Sequence, residues 1–359
     1  MIIRITWRRL LAFILGMGAL GMVFAWSGAM QISASSGHWR VTDWFLHWVM
    51  RNSVRTYSLF QSPTDPRDDS GLVSAAGHYR QACQVCHGAP GVRPSPVMQK
   101  ATPPAPDLSR TAGEWRDREL FWIIRHGVKL TGMPAWGVSD RPDEVRRMVA
   151  FVRSLPDMTP ARYQMLTQEA GLIPVPGIRS EVVAACTGCH GIDGRGRGQA
   201  DIPVLGGQRP AYLLAAMQRF ASGERAGAVM QAAVAHLSVQ EMEGLARYFA
   251  AMPGLADVAD RPIERVGGKS GQPVPACENC HAPGKGAPII YGQKASYIAG
   301  RLHAWQGDPN VIDARKSSAT MAVIARRIPT ARIEALARSL EYGGNGRPEH
   351  HVQHTLNPR

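Results

Sequence analysis

The chain has 359 residues, 45% of them apolar but only 7% aromatic, with 37 Gly and 26 Pro; that length supplies more than one core, and the composition suits small helical units with long loops. The formal charge of +13 points to an acidic protein partner or lipid head groups. No lysine-rich run or nucleic-acid-binding motif accompanies it, so no nucleic acid is expected as a partner.

Arg4, Arg8 and Arg9 precede 21 uncharged residues, Leu10 to Met30. Such a run crosses a bilayer as a helix, with Trp7 and Trp26 as interfacial anchors. A cleaved secretion signal has a shorter apolar centre of about 7–15 residues, and no small-x-small cleavage site follows. Residues 1–37 are therefore expected to form a cytoplasmic stub and an uncleaved anchor. In residues 38–69, Val41, Trp44, Phe45, Trp48 and Val49 recur at helical spacing. They predict an amphipathic helix along the membrane surface or against a membrane partner, followed by a polar linker from Ser62 to Ser70. His38 and His47 read as polar residues of that interface rather than ligands.

The rest is organised by three runs, Cys83-Gln84-Val85-Cys86-His87, Cys186-Thr187-Gly188-Cys189-His190 and Cys277-Glu278-Asn279-Cys280-His281, which together contain all six cysteines. C-x-x-C-H is the attachment signal for c-type haem: two cysteines reach the porphyrin vinyl groups and the next histidine lies under the iron. Redox dithiols or zinc ligands share the C-x-x-C spacing, but zinc would need a further ligand three times over, and no second C-x-x-C lies near any run. Three covalently bound haem c groups follow, held by Cys83, Cys86, Cys186, Cys189, Cys277 and Cys280. Their six propionates lower the charge to about +7 with the irons reduced.

Haem domain 1 is expected over residues 70–160, with Tyr79 on its opening helix and Phe151 on a closing helix from about 143 to 155. Between them Gly132-Met133-Pro134-Ala135-Trp136 places Met133 in a loop 46 residues after His87. A thioether is a soft sixth ligand for haem iron, and a His/Met pair raises the reduction potential. Met98, Met148 and His126 are its rivals. A Pro-rich linker, 155–176, leads to haem domain 2, residues 175–253. There a glycine-rich loop, Gly191 to Gly198, lacks any phosphate-binding signature and reads as backbone packed close to the porphyrin. Ser238 and Glu241 form a capping box ahead of a closing helix with Leu245, Tyr248 and Phe249. A linker from about 253 to 275 precedes haem domain 3, residues 270–345, whose closing helix carries Ile333, Leu336 and Leu340. A tail, 346–359, contains His350, His351 and His354 and is expected to be disordered rather than copper-binding.

Domains 2 and 3 repeat one another. His190 to Met230 and His281 to Met321 both span 40 residues. Within those spans, Pro203-Val204-Leu205-Gly206-Gly207-Gln208 recurs as Pro288-Ile289-Ile290-Tyr291-Gly292-Gln293. The register assigns Met230 and Met321 as iron ligands beside His190 and His281, and leaves Met217 and Met242 to helix packing.

On these motifs, residues 178 to 342 resemble the tandem di-haem class I cytochromes c of bacterial periplasms. Residues 71 to 160 resemble single-haem modules ending in G-M-P-A-W that occur in membrane-bound electron-transfer proteins. The third domain departs from the pattern, with Pro273 and Pro275 where an opening helix belongs and no Gly after His281. The resemblance implies an all-α fold of three class I cytochrome c domains behind a transmembrane helix. It also implies a proline carbonyl that orients each proximal histidine; Pro203 and Pro288 match by position, and Pro104 is the guess for the first haem. With all axial positions filled, by His87, Met133, His190, Met230, His281 and Met321, electron transfer is expected rather than catalysis.

The expected role is a periplasmic relay tethered to the bacterial inner membrane, passing electrons to a terminal oxidase as carrier or bound subunit, through an acidic docking surface on the partner. The alternative is the cytochrome subunit of a membrane dehydrogenase for alcohols or sugars, passing electrons toward quinone. A di-haem peroxidase or oxyanion reductase would need an open iron, which a reduced sample binding carbon monoxide would reveal.

Overall fold

The computed structural model describes residues 6–29, 31–61, 71–168, 174–255, 274–281, 284–307 and 320–342. Among them every regular element is helical. The linker from Ser62 to Ser70 and the histidine-containing tail lie outside the described residues.

Helix α1 (Trp7–Trp26) is 20 residues long, about 30 Å at 1.5 Å per residue. It is the one described helix long and apolar enough to cross a membrane. It begins earlier than the uncharged run and ends before Gly28, whose φ of +71° leaves the helical region. The second helix, α2 (Arg40–Tyr57), runs a turn and a half beyond the expected amphipathic stretch. Its Trp44, Phe45 and Trp48 face outward and pack on one another, while Val54 and Ser58 near its end are fully buried. Tyr57 stacks on Trp122 at 6.1 Å and Arg51 reaches Glu114 at 3.5 Å. The C-terminal half is thus docked on the first haem unit, and only the N-terminal half offers an apolar stripe to a membrane or partner.

The first unit contains α3 (Leu72–His78), which continues through a π-turn at Tyr79–Cys83 into α4 (Gln84–His87), then α5 (Leu108–Thr111), α6 (Asp117–His126) and α7 (Pro142–Ser154). Tyr79 and Phe151, both without exposed surface, cross at 5.3 Å. Such a pair adds about 0.5–1.5 kcal/mol beyond its burial. The Tyr79 hydroxyl donates to the Gly88 carbonyl at 2.7 Å, tying the opening helix to the residue after His87. Part of the expected linker is structured: α8 (Pro160–Thr167) starts on a Thr159 cap, with Pro160 at its first position, and buries Tyr163 and Leu166 in the first core.

The second unit is α9 (Ser180–His190), α10 (Pro210–Ala221), α11 (Ala228–Val234) and α12 (Val239–Ala250). Leu245 and Phe249 line its core with Val183 and Leu213. Met242 is buried and Met217 is packed against the same core, as expected for packing residues. The third unit is α13 (Glu278–His281), α14 (Ala295–Gln306), α15 (Thr320–Arg327) and α16 (Ile333–Tyr342). Its motif occupies a single turn where the second unit has three turns, and Ile333, Leu336 and Leu340 are buried as predicted.

The capping box of α12 is present: the Ser238 hydroxyl accepts from Glu241 N–H at 3.2 Å, and the Glu241 carboxylate accepts from Ser238 N–H at 2.9 Å. Arg179 adds an ion pair at 2.7 Å. The Arg179 hydrogen bond, then those from Ser238, hold the Glu241 carboxyl at about 2, well below its ordinary 4.5. A depressed carboxyl stabilises the fold above pH 4.5 and loses that contribution as pH falls toward 2. The expected result is a thermal midpoint difference between the wild type and Glu241→Gln that is full at pH 6 and shrinks steadily below pH 4.5, followed by circular dichroism.

Candidate functional site

Each C-x-x-C-H run ends its helix with the histidine at the C-terminal turn. In the first unit His87 Nδ1 lies 2.9 Å from the Pro106 carbonyl, and in the third His281 Nδ1 lies 2.7 Å from Pro288 O. With the proton on Nδ1, Nε2 is left as the lone-pair donor an iron needs. In the second unit the Pro203 carbonyl acts on His190 in the same sense, but His190 Nδ1 is buried without a hydrogen bond of ordinary geometry. Pro203 and Pro288 therefore occupy their expected places. Pro104 does not; Pro106, two residues on, takes that role. Burial lowers the pKa of all three histidines, that of His190 to about 4, so each ring is neutral at physiological pH and available as a ligand.

The cysteine environments argue against a reactive dithiol. Burial, then the neighbouring Cys86, pushes the Cys83 thiol up to about 12; burial, then Cys189, pushes Cys186 up to about 12. Redox dithiols need the opposite shift. Among the described residues no group of three or more His, Cys, Asp or Glu side chains is placed to hold a metal ion.

The donor set fits haem c in a further respect. Arg225 Nη2 meets the Tyr297 hydroxyl at 3.2 Å, and Tyr297 is pulled below its ordinary pKa although burial would raise it, because Arg225, Arg301 and Arg141 surround it. Arg141 is paired with Asp143 and Glu144. Among the described residues, the charged and phenolic groups acting on Arg225 and Arg301 are tyrosines and arginines, with no carboxylate. Porphyrin propionates, if bound there, would supply a countercharge to Arg225 and Arg301. Sequence reasoning missed this cluster, because its members come from three segments.

The methionines stand in different settings. Met133 lies in the loop after α6. That loop is closed by hydrogen bonds from Val128 N–H to Met133 O and from Trp136 N–H to Arg125 O, both 3.1 Å. A Cβ on Gly127, whose φ is +64°, would strike the Met133 and Pro134 backbone within 2.6 Å, so glycine is required there. Met230 lies in α11 and Met321 in α15, both half-buried. Met148 is a core residue of α7, and His126 packs at a tilt against Trp122 at 5.1 Å, so each has a packing role of its own. The glycine-rich loop packs on protein: Gly194 approaches Gly206 N and Gly196 approaches Ile202 O.

The units touch at their motifs. A Cβ on Gly77 of α3 would lie 2.7 Å from Cys189 Sγ, and helix α3 contacts both α9 and α11.

Comparison with known proteins finds similarity to cytochromes c. The family "Cytochrome C oxidase, cbb3-type, subunit III" matches residues 72–152. A thiosulfate dehydrogenase electron acceptor from Thiomonas intermedia is 32% identical over 176 residues, covering 44% of this chain and 77% of that protein. A cytochrome c4 from Stutzerimonas stutzeri is 31% identical, covering 44% of this chain and 84% of its own length. The crystal structure of reduced cytochrome c4 from Pseudomonas stutzeri overlaps 44% of this chain and 93% of its own, at 29% identity and a TM-score of 0.36.

Proposed function

We propose that this chain, which belongs to the c-type cytochromes and in its C-terminal part to the di-haem class I group that includes cytochrome c4, is a tri-haem electron relay anchored in the bacterial inner membrane. Its haem domains face the periplasm and it delivers electrons to a terminal oxidase. When bound, haem c supplies reversible one-electron chemistry. The chain's residues do the rest. Cys83, Cys86, Cys186, Cys189, Cys277 and Cys280 hold the three porphyrins by thioether bonds. His87, His190 and His281 would give the irons their nitrogen ligands and Met133, Met230 and Met321 their sulfur ligands, which would leave no position for a reactant. Arg225 and Arg301 take propionates.

The observation that carries the oxidase end is the match of residues 72–152 to an oxidase subunit. Helix α1 and the outward tryptophans of α2 support attachment to the membrane, where tethering raises the effective concentration of partners. The net charge of +13 favours an acidic docking surface on the partner. In the test, the reduced full-length protein in detergent is added to oxidase and oxygen uptake is followed. Electron transfer that slows as salt is raised is expected; none at any ionic strength removes the proposal.

A second reading makes the chain the electron-accepting cytochrome of a dehydrogenase. Relatives named as thiosulfate dehydrogenase electron acceptors favour it. Gentle detergent extraction that recovers a dehydrogenase bound to the chain, with haem reduction on adding its substrate, would decide for it.

A further inference from the structure

The repeated glutamines cross over between units. Gln208 of the second unit accepts from Ile289 N–H at 3.0 Å and donates to Ile289 O at 3.0 Å. Gln293 of the third accepts from Val204 N–H at 2.8 Å and donates to Val204 O at 3.0 Å. Both side chains are buried, at 4% and 6% exposure. Val204 and Ile289 each follow the proline whose carbonyl faces a proximal histidine, so the exchange is isologous: the same patch of each repeat grips the same patch of the other. The next residues cross too. Lys294 donates to Gln199 O at 2.6 Å and Ile202 O at 2.8 Å, and Arg209 bonds the Lys285 carbonyl.

The peptide between Pro288 and Ile289 is therefore held at both ends. Its carbonyl oxygen takes His281 Nδ1 at 2.7 Å, and its N–H gives to Gln208. Donation from an amide N–H polarises its own carbonyl and makes it a better acceptor, because hydrogen bonds in series strengthen one another in a low-dielectric interior. A better acceptor draws the Nδ1 proton away, the imidazole gains anionic character, and the oxidised state of a bound iron is favoured.

We infer that Gln208 and Gln293 are positioning residues that set the reduction potential of the opposite unit's haem, Gln208 through the Pro288–Ile289 peptide to His281 and Gln293 through the Pro203–Val204 peptide to His190. The inference rests on the reading above that these histidines ligate iron. Docking of the two repeats is thereby part of how each potential is tuned. The effect is stronger at His281, whose hydrogen bond is formed, than at His190, whose Nδ1 lacks one of ordinary geometry.

The test uses the full-length holoprotein in detergent, with three redox components resolved by optical titration and the third assigned by its loss in a Cys277→Ala/Cys280→Ala variant. Gln208→Leu removes the acceptor for Ile289 N–H, and the third component should rise by about threefold in its one-electron equilibrium, about 28 mV at 59 mV per tenfold. Gln208→Glu keeps an acceptor and makes it anionic, and the same component should fall. Gln293→Leu should move the second component instead, by less. The His281 Nδ1 proton should exchange faster in Gln208→Leu. Shifts of the same sign for Leu and Glu would indicate a merely structural role, and unmoved potentials would indicate none; either overturns the inference. Haem content and His281→Ala separate this from failure of the underlying reading: fewer than three covalent haems, or an iron indifferent to His281→Ala, sinks the reading itself, whereas unmoved potentials with three intact haems sink only the inference.

Discussion

Replacing Cys186 and Cys189 together with alanine is expected to leave one covalent haem fewer per chain and to slow electron exchange between the first and third units. The second unit touches both of the others, and all three meet where Arg141, Arg225 and Arg301 surround Tyr297. Its Cys189 Sγ lies 3.9 Å from the Val73 carbonyl of α3 and fills the space a Gly77 side chain would need. On its other side, Gln208 and Gln293 bind it to the third unit. Thus a porphyrin held by Cys189 would attach beside the helix that leads into Cys83, and its removal would take away one route between the remaining pair. Mass analysis of haem content and flash-induced reduction of one unit, followed at the other, measure both effects. A variant that keeps the wild-type exchange rate without the second haem would show that the first and third sites communicate directly, and the route through the second unit would be wrong.

The parts of this arrangement written into short stretches of sequence were legible, and the parts made by distant segments were not. A C-x-x-C-H run, the Ser238–Glu241 capping box and the apolar faces of α12 and α16 each declare themselves within a dozen residues, because one turn of backbone or one helical period imposes them. Helix α8 was hidden by its Pro-rich surroundings, although Thr159-Pro160 is a proper helix start, and its reason to fold is the burial of Tyr163 and Leu166 against a core that the local sequence does not contain. Pro104 and Pro106 have identical side chains two positions apart, and only the path of the loop decides which carbonyl reaches His87. The G-Q repeat was visible as a repeat, but the partners of Gln208 and Gln293 lie 81 and 89 residues away, and hydrogen bonds across that separation leave no local trace. In α2 the apolar stripe was plain. That the opposite face at Val54 and Ser58 would dock on α6 depended on the shape of the first unit.

Glu144→Ala is expected to damage two sites at once. This buried carboxylate, 6% exposed, belongs to α7 of the first unit. Its Oε2 accepts from Trp136 Nε1 at 3.3 Å and from Ala228 N–H at 2.9 Å, while Oε1 pairs with Arg141 at 2.9 Å. Trp136 closes the loop that presents Met133, and Ala228 is the first residue of α11, which presents Met230. One anion thus fixes both methionine segments. Burial raises its pKa, and Arg141 opposes that. Removing one partner of such a buried pair costs about 3–5 kcal/mol, because Arg141 and the two N–H donors keep their desolvation cost with less to satisfy them. The loss falls on the contact between units, so the near-infrared sulfur-to-iron bands of the first and second haems should weaken together and reduced protein should bind carbon monoxide more readily, with the third haem unchanged. Glu144→Gln keeps an oxygen for Ala228 and Trp136 but turns an amide toward Arg141, and should lie between the two. If Glu144→Ala folds and retains all its sulfur-to-iron absorption, either the methionines are held without this carboxylate or they are not the ligands. Met133→Ala and Met230→Ala, each expected to remove one band, separate those outcomes.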